Sequence, residues 1–169
     1  MAAKTKSSKW TVGVLVMSVV VLLPSIGWAQ EMPIDYQGVL TTLGKAGDFK
    51  DGVLKVNIPR NDLSVTIRDR PAPTPFGFGG WIAMTRGEGG HDVMMGDLVL
   101  SEDEVNPVMS AILDSGLDVT ALHNHFFWEQ PRIFYMHVHG TGTAGELALR
   151  VRPALAHRRN LFRPSTAEQ

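Results

Sequence analysis

The same helix-start signature occurs twice in this chain, and it fixes the framework into which everything else has to fit. Ser101-Glu102-Asp103-Glu104 and Thr143-Ala144-Gly145-Glu146 both carry capping-box spacing. In such a box the leading hydroxyl accepts from the backbone N–H three residues on, and the glutamate reaches back to the leading residue's N–H. A helix is therefore expected after Ser101, with Val105, Val108, Met109, Ile112 and Leu113 on its apolar face and Gly116 closing it. Pro107 lies inside and should bend or tighten the first turns. A last helix is expected after Thr143, with Leu147, Val151, Ala154 and Leu155 inward and a second interruption at Pro153.

Ahead of these helices, Tyr36, Val39, Leu40 and Leu43 recur at spacings of three and four before Gly44, which predicts a short amphipathic helix over Ile34–Leu43. Val53–Pro59 and Leu63–Arg68 are rich in β-branched residues and flank an Arg60-Asn61-Asp62 turn, the pattern of a hairpin. Arg70–Gly80 combines three prolines with three glycines and reads as a loop, not a strand. Trp81–Thr85 and Asp92–Leu100 are two further strands around a glycine-rich turn. The order implies an α+β fold, a mostly antiparallel β-sheet with helices packed on one face.

Composition narrows the chemistry. With 169 residues, the chain suits one domain, and 44% hydrophobic against 20% charged residues is ordinary globular composition. A net charge of -1 without a basic stripe argues against a nucleic-acid partner. The complete lack of cysteine removes disulfides, thiolate nucleophiles, cysteine-rich zinc sites and lipid attachment to cysteine. Catalysis or metal binding has to use histidine, carboxylates or hydroxyls.

Lys4, Lys6 and Lys9 precede an apolar run from Trp10 to Leu23, and Gly27-Trp28-Ala29 follows with small residues at the cleavage-reading positions. Residues 1–29 read as a signal peptide cut after Ala29. The alternative, an uncleaved anchor, is disfavoured because the apolar run reaches only ~21 Å as a helix against a ~30 Å hydrocarbon core. The mature chain would be an exported, periplasmic or secreted protein with a formal charge of -4 and no stable membrane span. It would comprise one domain over 30–156 and a polar tail over 157–169.

Four of the six histidines fall between Leu117 and Gly140. Alternate residues of a strand share a face, so His123 and His125 point one way, as do His137 and His139. An antiparallel hairpin about Pro131 would set 125 opposite 137 and 123 opposite 139, gathering all four imidazoles on one face. Opposed residues lie ~5 Å apart and i,i+2 neighbours ~7 Å apart, close enough for three imidazoles to meet a metal at ~2.1 Å. Leu122, Phe126, Phe134, Met136 and Val138 would supply the opposite, helix-covered face, with Asn124 buried there as a hydrogen-bonding residue. Three histidine ligands leave one coordination position for water or substrate, the pattern of catalytic zinc sites.

Glu129, in the hairpin loop, could act as a fourth ligand or general base, or be a solvated loop charge. Asp97 sits in a strand, where aspartate is depleted and needs a partner. Glu104 is accounted for by its capping box, yet it could orient a ligand histidine. Arg132 could hold an anionic substrate or pair with Glu129. His91 and His157 earn no catalytic role.

The blocks Ile58–Arg60 (IPR), Gly96-Asp97, Glu104–Val108 (EVNPV), Thr120–His125 (TALHNH) and Pro131–His137 together resemble the LppY/LpqO family, exported bacterial domains named after mycobacterial lipoproteins. The resemblance covers most of the mature chain and implies export, but supplies no reaction. In that family the position of His139 is often aromatic, which points to His123, His125 and His137 as the ligand set and leaves His139 a fourth candidate. The family's lipid anchor does not transfer, for want of a cysteine near Ala29. A looser, geometric similarity is to acetolactate decarboxylase, whose zinc site also has an HxH pair and a later third histidine.

Three functions remain open. The first is a transition-metal site, zinc or else copper, on a β-hairpin, serving a metal-dependent hydrolase or lyase that acts on a small-molecule or anionic ligand. The second is a noncatalytic metal-binding or sensing module of the cell envelope. The third is a metal-free ligand-binding domain whose histidines only hydrogen-bond. Oligomeric state is not legible in the sequence.

Overall fold

The computed structural model describes residues 30–157, so the leader expected over 1–29 and all but the first residue of the expected tail lie outside the described residues. In chain order the elements are α1 (Ile34–Leu43), β1 (Asp48–Lys50), β2 (Val53–Pro59), β3 (Val65–Ile67), β4 (Arg70–Ala72), β5 (Gly79–Arg86), β6 (Asp92–Ser101), α2 (Glu102–Asp114), β7 (Asp118–His123), β8 (Glu129–Gln130), β9 (Ile133–Gly142) and α3 (Ala144–Ala156). A six-stranded sheet runs β1-β2-β5-β6-β9-β7 and a three-stranded sheet runs β4-β3-β8. Every pairing in both is antiparallel, which is the expected α+β architecture.

Local chemistry sets the helix ends. α1 stops where Gly44 enters the left-handed region at φ 59 and donates its N–H to Leu40 and Thr41. Both capping boxes form, at Ser101 with Glu104 and at Thr143 with Glu146. Neither helix is broken by its proline: α2 and α3 run through Pro107 and Pro153, both of which are exposed. No helix among the described residues is long and apolar enough to cross a membrane.

All three helices cover one face of the large sheet. Tyr36, Val39, Val108, Ile112, Leu147 and Val151 from the helices meet Leu54, Val56, Ile82, Leu98, Met136 and Val138 from the strands in the main core, each at 2% exposure or less. At roughly 1.5–3 kcal/mol for each large apolar side chain buried, this contact is the dominant stabilising term. The small sheet lies over one end of the opposite face, where Val65, Phe78, Val99, Ile133 and Tyr135 form a second core. The rest of that face is open.

The structure corrects three expectations. Residues 53–59 and 63–68 do not form a hairpin: β2 is flanked by β1 and β5, and β3 belongs to the small sheet. The cause is Arg60, only 1% exposed, whose guanidinium donates to Asp62, Glu104 and the Val99 carbonyl and so pins the chain across the β6–α2 junction. Arg70–Gly80 is not all loop, because Arg70–Ala72 pairs with β3 as an edge strand, where a proline is tolerated. Phe126 does not face the helices, because β7 ends at His123 and Phe126 packs beside the second core.

The strand pair that carries the histidines is β7 with β9. Asp118 lies opposite His139 and Val119 opposite Val138; then Thr120 is left over, and Ala121 lies opposite His137, Leu122 opposite Met136 and His123 opposite Tyr135. Thr120 is a β-bulge, one extra residue on one strand of the pair.

Candidate functional site

The expected hairpin about Pro131 is not the one that forms. The pairing folds about Glu129, so His123 sits opposite Tyr135 instead of His139, and His125 lies beyond the end of β7. The reason is the small sheet, which takes Glu129 and Gln130 as β8 against Ile67 and Thr66 and so draws the loop to one side. Two of the three favoured histidines nevertheless share a face, and the third joins them from the loop.

His123 stands between the other two, with ring centroids 5.1 Å from His125 and 5.0 Å from His137. Imidazoles bound tetrahedrally to one ion with nitrogen at ~2.1 Å have centroids about 5 Å apart. The His125 ring lies flat on Tyr135, centroids 3.4 Å apart and 11° between planes. As the side chains stand, no three His, Cys, Asp or Glu among the described residues are disposed to hold a metal ion. His139 is separate: it lies opposite Asp118, with Nδ1 3.7 Å from Oδ2 of that residue.

Exposure falls along β9 toward the small sheet, from His137, whose side chain is 43% exposed, to Tyr135 at 1%. The cluster therefore occupies the step where the covered end of the face gives way to the open one. Tyr135 roofs it from below, donating its hydroxyl to the Gly77 carbonyl at 2.9 Å. Burial, then the charges of Glu129 and Asp97, push the Tyr135 phenol above its ordinary range.

Two carboxylates face this step. Asp97 lies on β6 directly across from His137, with Oδ1 3.8 Å from His137 Nε2. That oxygen is buried and makes no hydrogen bond. Gly96 brings Asp97 in close: a Cβ there would stand 2.8 Å from Val138 Cγ2 and 3.1 Å from the Trp81 carbonyl. Glu129 is 1% exposed, so it is not the solvated loop charge that its position in the sequence allowed. Its Oε1 accepts from the Ile133 N–H at 3.3 Å, while Oε2 is buried without a partner. Burial and then the charge of His123 lower the pKa of His125, with Asp97 and Glu129 opposing them. Both carboxylates thus act on the same imidazole. A buried, unpartnered carboxylate oxygen is costly to leave so, and calls for a cation or a donor.

The other candidates lie elsewhere. Glu104 is buried, and its carboxylate accepts from Arg60 at 2.7 Å and from the Ser101 N–H at 2.9 Å. Arg132 is exposed and forms no ion pair with a carboxylate among the described residues, Glu129 included. Asn124 is exposed, not buried, and donates to the Ile133 carbonyl at 2.6 Å, tying the loop to β9. Tyr135 was legible on the histidine face, since it alternates with His137 and His139 along β9. Arg60 was missed, because nothing in the sequence marks it as buried.

Fold and site together define an antiparallel α+β domain with a histidine–carboxylate cluster on the sheet face away from its helices. The chain belongs to the DUF1529 family, described as Domain of Unknown Function (DUF1259), whose model matches residues 37–157. No curated protein and no solved structure matches the chain.

Proposed function

We propose that this is an exported transition-metal protein of the LppY/LpqO type, in which His123, His125 and His137 hold the ion and Glu129 serves as proton acceptor or fourth ligand. The observation that carries the reading is the buried Glu129 Oε2 without a partner, beside a His123 ring that stands 5.1 Å from that of His125 and 5.0 Å from that of His137, each the spacing of two ligands of one ion. Three neutral nitrogens with one carboxylate suit zinc, and copper is the second choice. A bound ion would supply an acidic water or polarise a substrate carbonyl, as a hydrolase or lyase requires. The chain's own groups do the rest: Asp97 orients the His137 ring, Glu129 holds a proton, and Arg132 at the loop meets an anion in solution. Glu104 acts at one remove, through Arg60 and the β6–α2 junction.

A metal-free reading is favoured by one observation, the absence of three converging donors among the described residues. Then the imidazoles and the two carboxylates would be a hydrogen-bonding floor for a ligand. Elemental analysis separates the readings, using untagged protein incubated with zinc or copper and dialysed, beside His123→Ala and His137→Ala variants. The metal reading expects about one ion per chain, lost in both variants. Protein that stays metal-free after both incubations refutes it and leaves the ligand floor. A noncatalytic metal-binding or sensing role would instead give fast, reversible loading with both metals and no turnover.

A further inference from the structure

We propose that the groove beside Phe126 binds a small carboxylate with an apolar body and presents its uncharged end to the histidine cluster; this rests on reading that cluster as the working centre. The groove, about 440 Å³, is bounded by Ile67, Arg70, Ala72, Pro73, Phe76 and Phe126, and Arg70 is the one charged side chain lining it. Phe76, 63% exposed, stacks on Phe126 with centroids 6.2 Å apart, so an open aromatic wall faces solvent. Phe126 is also the boundary with the site, its ring 6.2 Å from that of His125.

The small sheet gives the groove its direction. Arg70 pairs with Ile67, and Ile67 pairs with Glu129, so the three side chains share one face of that sheet. Two strand spacings separate Arg70 from Glu129, about 10 Å. Arg70 is exposed and has no carboxylate within ion-pair distance among the described residues. Glu129 does not line the groove, but its buried carboxylate, two strand spacings from Arg70, repels a second negative charge on that side. A bound anion is thereby oriented, its carboxylate at Arg70 and its apolar end toward His125. The ligand class is an aryl- or alkyl-carboxylate about 10 Å long.

The test uses 4-(4-fluorophenyl)butanoate and its neutral alcohol analogue, followed by fluorine NMR on the purified protein. The expected result is saturable line broadening by the acid, weakened about three- to tenfold in Arg70→Gln with the alcohol unaffected. Phe126→Ala should abolish it, and Arg70→Gln, altering an exposed side chain, guards against a folding defect. In protein loaded with cobalt(II) the fluorine should relax faster, an effect lost in His137→Ala. No saturable binding, or equal binding of acid and alcohol by wild type and Arg70→Gln, overturns the proposal. So does a fluorine signal indifferent to bound cobalt. If no metal binds, the histidine ring resonances decide: shifts at His123, His125 and His137 on adding the acid uphold the groove although the metal reading has failed, and their constancy overturns it.

Discussion

Replacing Arg60 with Met should remove a large share of the stability of this domain while touching no histidine. The guanidinium donates to both oxygens of Asp62, both oxygens of Glu104 and the Val99 carbonyl, at 2.7 to 3.3 Å. Methionine keeps the apolar stem and deletes every one of these donors. The Asp62 side chain is 17% exposed and can recover water, but that of Glu104 is 4% exposed and cannot. Breaking a buried pair by removing one partner is destabilising by about 3–5 kcal/mol, against a total of roughly 5–15 kcal/mol for a domain. With a urea dependence of about 2 kcal/mol per molar, the midpoint should fall by roughly 2 M. Urea unfolding followed by far-ultraviolet circular dichroism measures this. Adding Glu104→Gln to Arg60→Met should recover about half the loss, since the stranded charge is then gone. A midpoint drop below about 0.5 M, or no recovery in the double variant, refutes the argument that the buried carboxylate depends on Arg60.

Three further outcomes follow from the site and its supports. Without added metal, Glu129→Gln should match wild type or exceed it by about 1 kcal/mol, because it removes a buried charge with an unpartnered oxygen; zinc at a hundredfold over the wild-type dissociation constant should add about 2.7 kcal/mol to wild type, more than to the variant, and reverse the order in melting curves. Gly96→Ala should lose about 1–3 kcal/mol in chemical unfolding by forcing β5 and β9 off β6, whereas Gly38→Ala in α1, where a Cβ meets nothing within 4 Å, should be neutral or stabilising. The Glu146 carboxyl is held below its ordinary 4.5 chiefly by the Thr143 N–H, so its capping contribution is complete above that value and lost as pH falls through the lowered one. Hydrogen exchange in the first turn of α3 should accelerate over that acid range in wild type and lose this pH dependence in Glu146→Gln.

Local signals were legible in the sequence where a residue's own neighbours determine its state. The capping boxes placed α2 and α3, Gly44 ended α1, and the β-branched run Val53–Pro59 gave β2 with its boundaries. Reading failed where a distant segment decided the outcome. Leu63–Arg68 has strand composition in either sheet, and only the burial of Arg60 against Glu104 says which. The strand face was legible from period-two alternation, which sets Tyr135, His137 and His139 on one side of β9. The register was not, because β8 competes for the loop through a strand more than sixty residues away. Glu129 shows the limit plainly: a glutamate in a polar loop looks solvated until the small sheet closes over it.

The leftover residue in β7 has a consequence for how this protein can lose its site. Ahead of Thr120 the pairing would carry His123 opposite Phe134, inside the helix-covered layer; beyond it, His123 stands opposite Tyr135 on the other side of the sheet. Were Thr120 drawn into the ladder opposite His137 instead of left over, the strand's sidedness would invert from Ala121 onward while every histidine remained in the chain. Such a chain would keep the complete residue list of the cluster and none of its arrangement. Deleting Thr120, by contrast, would leave Ala121 opposite His137 and His123 opposite Tyr135, so the cluster depends on Thr120 staying out of the ladder and not on its presence.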